Sequence, residues 1–310
     1  MLRILVLGSA AGGGFPQWNC NCENCCRARN GDPAALPRTQ SSIAVSAGDG
    51  FWFLLNASPD LRQQIGQRPA LHPAEGRRHS PIAGVVLTNA DVDHVAGLLT
   101  LREGQPLTVY GTRRVQDTLA ANPVFNVLNR DLVRRHILQT DRETDLELPD
   151  GRVAGIAVEA FPVPGKVALY LEDETAGSNF GTVAEDTVGL RVIDRASGRW
   201  FFYVPGCASV PDDLARRLDG APLVLFDGTT WTDDEMQATG VGEKTGRRMG
   251  HMSMSGAAGS IAAFAPLSVK RKVFIHINNT NPVLLSDSPE RARAEAAGWE
   301  IAFDGMEISP

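Results

Sequence analysis

The chain has no long apolar run. Nothing in it approaches the roughly 18 to 20 consecutive apolar residues needed to cross a bilayer. The opening apolar stretch 1–7 stops at Gly8, too short for the hydrophobic region of a signal peptide. These absences give a cytoplasmic reading with no direct membrane insertion. Blocks of Lys or Arg are missing too: 30 basic residues against 36 acidic ones leave a net charge of -6, with no basic footprint for nucleic acid. No repeat, low-complexity tract or Ser/Pro-rich linker divides the 310 residues, so one domain over 1–310 is expected. A homodimer is compatible with this, although no residue pattern specifies one. Cysteine and histidine are scarce, five and six respectively, so their placement carries information.

What is present is a 43% hydrophobic globular chain in which short β-branched runs alternate with helical segments. Strands are expected at 3–7, 43–46, 52–55, 85–88 and 107–110, then at 156–163, 167–171, 188–193, 200–204, 223–226 and 273–277. Helices are expected at 93–101, 112–121, 211–218, 253–264 and 289–296, several opening on Ser, Thr, Asp or Pro. Two sheets with helices outside account for this order, an α/β chain of the α+β kind. Gly8, Gly12, Gly13 and Gly14 follow the first strand but fit neither G-x-G-x-x-G nor a P-loop, and read as a tight loop.

Four of the five cysteines fall in Cys20-Asn21-Cys22-Glu23-Asn24-Cys25-Cys26. A loop this short cannot staple a domain by disulfides, and a cytoplasmic thiol pool would keep them reduced. Thiolates spaced C-x-C-x-x-C suit tetrahedral zinc, so Cys20, Cys22 and Cys25 are the expected ligands of a closed structural site within the Cys-rich loop 15–30. Cys26 either points elsewhere or supplies the fourth bond.

A second cluster is Thr88-Asn89-Ala90-Asp91-Val92-Asp93-His94, where a strand ends and a helix begins. Asp93 alone would also serve as a helix cap. His276, however, ends another apolar strand and is followed by Ile277-Asn278-Asn279-Thr280-Asn281, a poor context for a core imidazole. Asp93, His94 and His276 together are two imidazoles and one carboxylate, the set that leaves half of an octahedral ion open. Zinc hydrolases use the same set, so it does not select the metal.

These segments resemble the metallo-β-lactamase superfamily, and within it the branch serving pyrroloquinoline quinone (PQQ) biosynthesis. The resemblance spans nearly the whole chain. It rests on F-P-Q-W-N-C-N-C-x-x-C from Phe15, T-N-A-D-V-D-H-V-A-G-L-L from Thr88, M-G-H-M from Met249, H-I-N-N-T-N-P from His276 and F-D-G-M-E-I from Phe303. A phosphodiesterase branch shares the cysteine knot and the closing F-D-G-M-E.

The resemblance implies a four-layer αββα sandwich, two mixed sheets flanked by helices, with a metal cleft along one sheet edge. It also implies Fe(II) at the cleft, zinc at the cysteines, and O2-dependent hydroxylation of the tyrosine ring in a Glu-Tyr cross-linked diamino acid. Asp91 and His251 are then candidates for acid-base duty or an additional ligand, and Lys166 for a substrate carboxylate. Departures from the superfamily pattern are that Asn89 and Asp91 replace two His, Gly165 or Lys166 replaces a third, and the bridging Asp falls at Gly206 or Cys207. One catalytic ion is therefore expected. Phosphodiesterase relatives place a His at the position of Asn279, which makes Asn279 the other candidate for the fourth structural ligand. The alternatives carried are a mononuclear zinc hydrolase and a non-catalytic carrier assisting transport of PQQ or its precursor.

Overall fold

The computed structural model of the protein describes residues 2–177 and 179–310. Among the described residues fourteen strands form two seven-stranded sheets. The first runs, in spatial order, Glu307–Ile308 (β14), Arg3–Gly8 (β1), Ser42–Ser46 (β2), Trp52–Leu55 (β3), Ile82–Val86 (β4), Leu107–Gly111 (β5) and Val133–Ile137 (β6). The second runs Trp299–Ile301 (β13), Lys272–Ile275 (β12), Val224–Asp227 (β11), Trp200–Val204 (β10), Val188–Asp194 (β9), Val153–Pro162 (β8) and Glu143–Glu147 (β7). Both sheets are mixed: β3 through β6 pair in parallel, as do β10 through β13, while the remaining neighbours are antiparallel.

The period-2 alternation of side chains assigns each strand's two faces. In β10, Phe201 and Tyr203 enter the inter-sheet core with Val6, Phe53, Leu190 and Ile275, whereas Phe202 and Val204 face an outer core. That outer core includes Phe274, Phe264 and Trp299, with Trp299 stacked on Phe274 at 3.7 Å. A third cluster joins the back of the first sheet, Leu54, Val85 and Val109, to Val115 and Leu119 of the helix Arg113–Ala121. Helices thus cover both outer faces, giving the αββα sandwich that the resemblance implies. Among the described residues no helix is long and apolar enough to cross a membrane.

Several expected elements differ. Residues 167–171 form no strand: Pro162, Pro164 and Gly165 end β8, and Leu169–Leu171 is an exposed 3-10 turn at the mouth of a cleft. The helix expected over 253–264 is only Ser260–Phe264, and that expected over 93–101 is one α-turn, Val92–Val95, followed by 3-10 turns. The strands β6 and β7, Val-Arg-Arg-His-Ile and Glu-Thr-Asp-Leu-Glu, are edge strands whose charged faces hide their strand character from a hydrophobicity pattern. Part of the closing F-D-G-M-E motif is structural. The Asp304 carboxylate accepts from Ser9 N (3.0 Å) and Thr39 N (2.6 Å), tying the glycine loop to the start of β2.

Candidate metal centres

Two metal-competent groups are built in different ways. At the first, the Sγ atoms of Cys20, Cys22 and Cys25 lie within 4.8 Å of one another. The helix Glu23–Arg29 begins inside the motif, so its first turn returns Cys25 to the side of Cys20 and Cys22. The Asn279 side-chain amide closes the fourth direction, its Nδ2 standing 3.2, 3.7 and 3.3 Å from the three sulfurs. A half-turn of the amide presents Oδ1 to the same position as an oxygen ligand. Cys26 donates instead to Asn21 O (3.3 Å) and stands outside the group. Burial, reinforced by Cys20 and Cys25, pushes the Cys22 thiol up to about 12. At Cys20 burial acts the same way but is outweighed by hydrogen bonds from Cys22, Cys25 and Asn279, so its pKa falls.

The second group lies at the carboxyl ends of β4, β11 and β12, lining a cavity of about 490 Å³. The ligand atoms of Asp93, His94 and His276 lie within 4.8 Å of one another, and those of Asp227, His251 and His276 form an overlapping set. Each imidazole is oriented through Nδ1. His94 Nδ1 meets Asn89 Oδ1 at 2.8 Å, His251 Nδ1 meets Asp227 Oδ2 at 2.7 Å, and His276 Nδ1 meets Thr229 Oγ1 at 3.0 Å. This is how metal-binding histidines are held, with the partner fixing the ring so that Nε2 faces the ion. His94 Nε2 is buried and has no hydrogen-bond partner, an orphan that a cation would satisfy. His276 Nε2 is 3.1 Å from Asp93 Oδ2. The residues present fit a bound divalent ion.

Backbone geometry supports the same point. His276 has φ +60°, a left-handed conformation unusual for a residue with a Cβ. Hydrogen bonds hold the chain on either side, Gly228 N to Ile275 O (2.8 Å) before it and Ile277 N to Ser9 O (3.0 Å) after it. The glycine loop approaches from above, and a Cβ on Gly12 would stand 3.3 Å from Asp93 Oδ2.

Electrostatics separates the groups. Burial pushes His94 down to about 4, which keeps it neutral and able to ligate. Burial would raise Asp93, but the neighbouring His94 and His276 outweigh it and hold the carboxyl below its ordinary range. Burial, and then repulsion from Asp93, push Asp91 up to about 6. At His251 burial opposes the charge, yet Asp227 prevails and the pKa rises.

The sequence reading misses Asp227 and Thr229. The bridging carboxylate it seeks at Gly206 or Cys207 is absent there, and Cys207 packs in the core with Sγ against Ser209 O. Asp227, one strand further on, accepts from Cys207 N (2.8 Å), Thr229 N (3.0 Å), Thr229 Oγ1 (2.6 Å) and His251 Nδ1. Its lone pairs are committed, which marks it as an orienting group more than a ligand. Lys166 also differs from its reading: its Nζ pairs with the half-buried Glu172, which Arg248 grips as well at 2.7 Å, so its charge is already countered within the protein. His251 lines the cavity and does not cap a helix. Asp91 lines it too, with Oδ1 accepting from Leu169 N at 3.3 Å.

Comparison with known proteins places this architecture. Residues 51–277 match the family described as a beta-lactamase superfamily domain. Coenzyme PQQ synthesis protein B of Gluconacetobacter diazotrophicus is 57% identical over 311 residues, covering 100% of both chains. That of Rhodopseudomonas palustris strain BisB5 is 55% identical, again over 100% of both. The zinc-bound PqqB structure from Methylobacterium extorquens is similar with a TM-score of 0.93 and 52% identity, over 99% of this chain and 100% of that one. A diphosphatase of the PhnP family, 21% identical with a TM-score of 0.68 over 99% and 96% of the two chains, shares the fold. With its fold, its cysteine knot and its full-length identity to these relatives, the chain belongs to the coenzyme PQQ synthesis protein B family of the beta-lactamase superfamily.

Proposed function

We propose that the chain acts in PQQ biosynthesis as a non-haem Fe(II)-dependent hydroxylase. Its substrates would be O2 and the Glu-Tyr cross-linked diamino acid, whose tyrosine ring is hydroxylated on the way to a quinone, in the cytoplasm. The observation that carries the reading is the unpartnered, buried His94 Nε2 grouped with Asp93 and His276. Two imidazoles and one carboxylate would hold an ion while leaving positions open for two further ligands. Fe(II) held there would supply the redox chemistry by which O2 reacts with a phenol ring.

The chain's own residues have separate tasks. Asn89, Thr229 and Asp227 fix the imidazoles. Asp91, with a pKa near 6 from burial and the adjacent Asp93 charge, is suited to accept a phenolic proton. His251, backed by Asp227, is suited to hold or return one at Nε2. Leu169 and Tyr170 form an apolar side of the cavity against which a ring packs.

Anaerobic protein loaded with Fe(II), mixed with the diamino acid and ascorbate and then with air, is expected to give a product heavier by one or two oxygen atoms, one O2 being consumed per atom inserted into a ring C–H bond while its second atom leaves as water with two electrons from ascorbate. Unchanged substrate at full iron occupancy overturns the reading. A mononuclear zinc hydrolase is the second reading, favoured by the zinc in the Methylobacterium relative. It requires turnover with zinc and no oxygen uptake.

A further inference from the structure

The cavity is lined by two lysines, Lys166 and Lys244. They differ in one respect that bears on substrate choice. Lys166 is neutralised by Glu172. Lys244, half-buried, makes no ion pair and no hydrogen bond through its side chain among the described residues. Its backbone is nevertheless held on both sides. Gln237 Nε2 donates to Glu243 O at 2.8 Å, Gly246 N donates to Asp233 O at 2.8 Å, and Arg247 N to Asp233 Oδ1 at 2.7 Å. A positively charged residue carried on an anchored segment, lining a cavity and without a counter-charge among the described residues, is a binding group awaiting an anion.

Other surroundings narrow the ligand. Val92, Leu169 and Tyr170 are large apolar residues left 58%, 55% and 45% exposed, and all three line the same cavity. Exposed apolar side chains gathered at the mouth of a metal cleft mark a surface that contacts a ligand.

We infer that Lys244 is a specificity-determining residue that binds a carboxylate of an aromatic, amino-acid-derived substrate whose ring lies along Leu169 and Tyr170. This rests on the hydroxylase reading for the identity of the substrate, and on the unpaired cation for the interaction. It assigns to Lys244 the carboxylate contact that the sequence pattern suggests for Lys166.

The test is calorimetric titration of zinc-loaded protein with the cross-linked diamino acid and with the derivative whose carboxylates are carboxamides. Wild type is expected to bind the acid about ten-fold more tightly than the amide, as a charge-assisted hydrogen bond implies. Lys244→Gln is expected to bind the two alike, and Lys244→Arg to recover the preference. A preference that persists in Lys244→Gln overturns the assignment, as does failure of wild type to bind the acid. Absence of oxygen uptake by iron-loaded wild type, with the Lys244-dependent preference intact, sinks the hydroxylase reading and leaves the carboxylate contact standing. Oxygen uptake together with an unaltered preference in Lys244→Gln does the reverse.

Discussion

The cysteine knot and the cleft are both metal-competent, but they are assembled from opposite materials. The knot takes three ligands from one loop and the first turn of one helix, and needs a single distant partner, Asn279. The cleft gathers Asp93, His94, Asp227, His251 and His276 from strand ends and loops brought together by two sheets. A site made locally holds the chain in shape. One made from remote segments depends on a shape already present, and can leave coordination positions open because packing, not the metal, supplies its stability.

If that contrast holds, Cys22→Ser should have the largest effect. We expect loss of one tightly held zinc and a fall in melting temperature of about 10 °C or more, from the loss of several kcal/mol of metal-coupled folding energy. Retention of all zinc on metal analysis rejects the ligand assignment. Asp93→Asn and His276→Ala should abolish turnover by a factor of about 1,000 or more, while far-ultraviolet circular dichroism and the knot zinc stay as in wild type. Loss of both metals would end the contrast.

Smaller effects refine it. Thr229→Val removes the hydroxyl that orients His276 and should weaken cleft metal about 10- to 100-fold, read by competition with a chelator, without moving the knot. Asn279→Ala should weaken the knot by a similar or smaller factor.

The smallest expected effect is one of pH. Burial pushes Glu235 up to about 7 while Thr280 Oγ1 donates to it at 2.5 Å. A carboxyl whose folded pKa exceeds its unfolded one binds more protons when folded, so its contribution is complete below the unfolded value near 4.5 and is lost as pH rises through about 7. Melting temperature should therefore decline across this window in wild type and less steeply in Glu235→Gln. Equal slopes would remove Glu235 from the account.

The same contrast governs what could be read beforehand. The cysteines were legible because ligand spacing within one loop survives as spacing in sequence. Asp93, His94 and His276 were legible because polar groups at the ends of apolar strands are poorly explained by packing. Asp227 was not, since Val-Leu-Phe-Asp looks like any strand meeting its loop, and only the parallel pairing of β11 with β12 sets it beside His276. Lys166 was misread because its partner Glu172 lies in a turn that the apolar run 167–171 disguises as strand. The order of layers followed from hydrophobic period, whereas β6 and β7 escaped because charge on an edge strand masks that period.

One short turn carries His276 at one end and Asn279 at the other, and Asn24 Nδ2 clasps it from the knot side through the carbonyls of Asn279, Thr280 and Asn281 at 3.2, 3.0 and 3.2 Å. Traffic between the two centres should then run one way. Stripping the thiolate-bound ion slackens the tether on the catalytic imidazole, while emptying the cleft leaves the anchor in place.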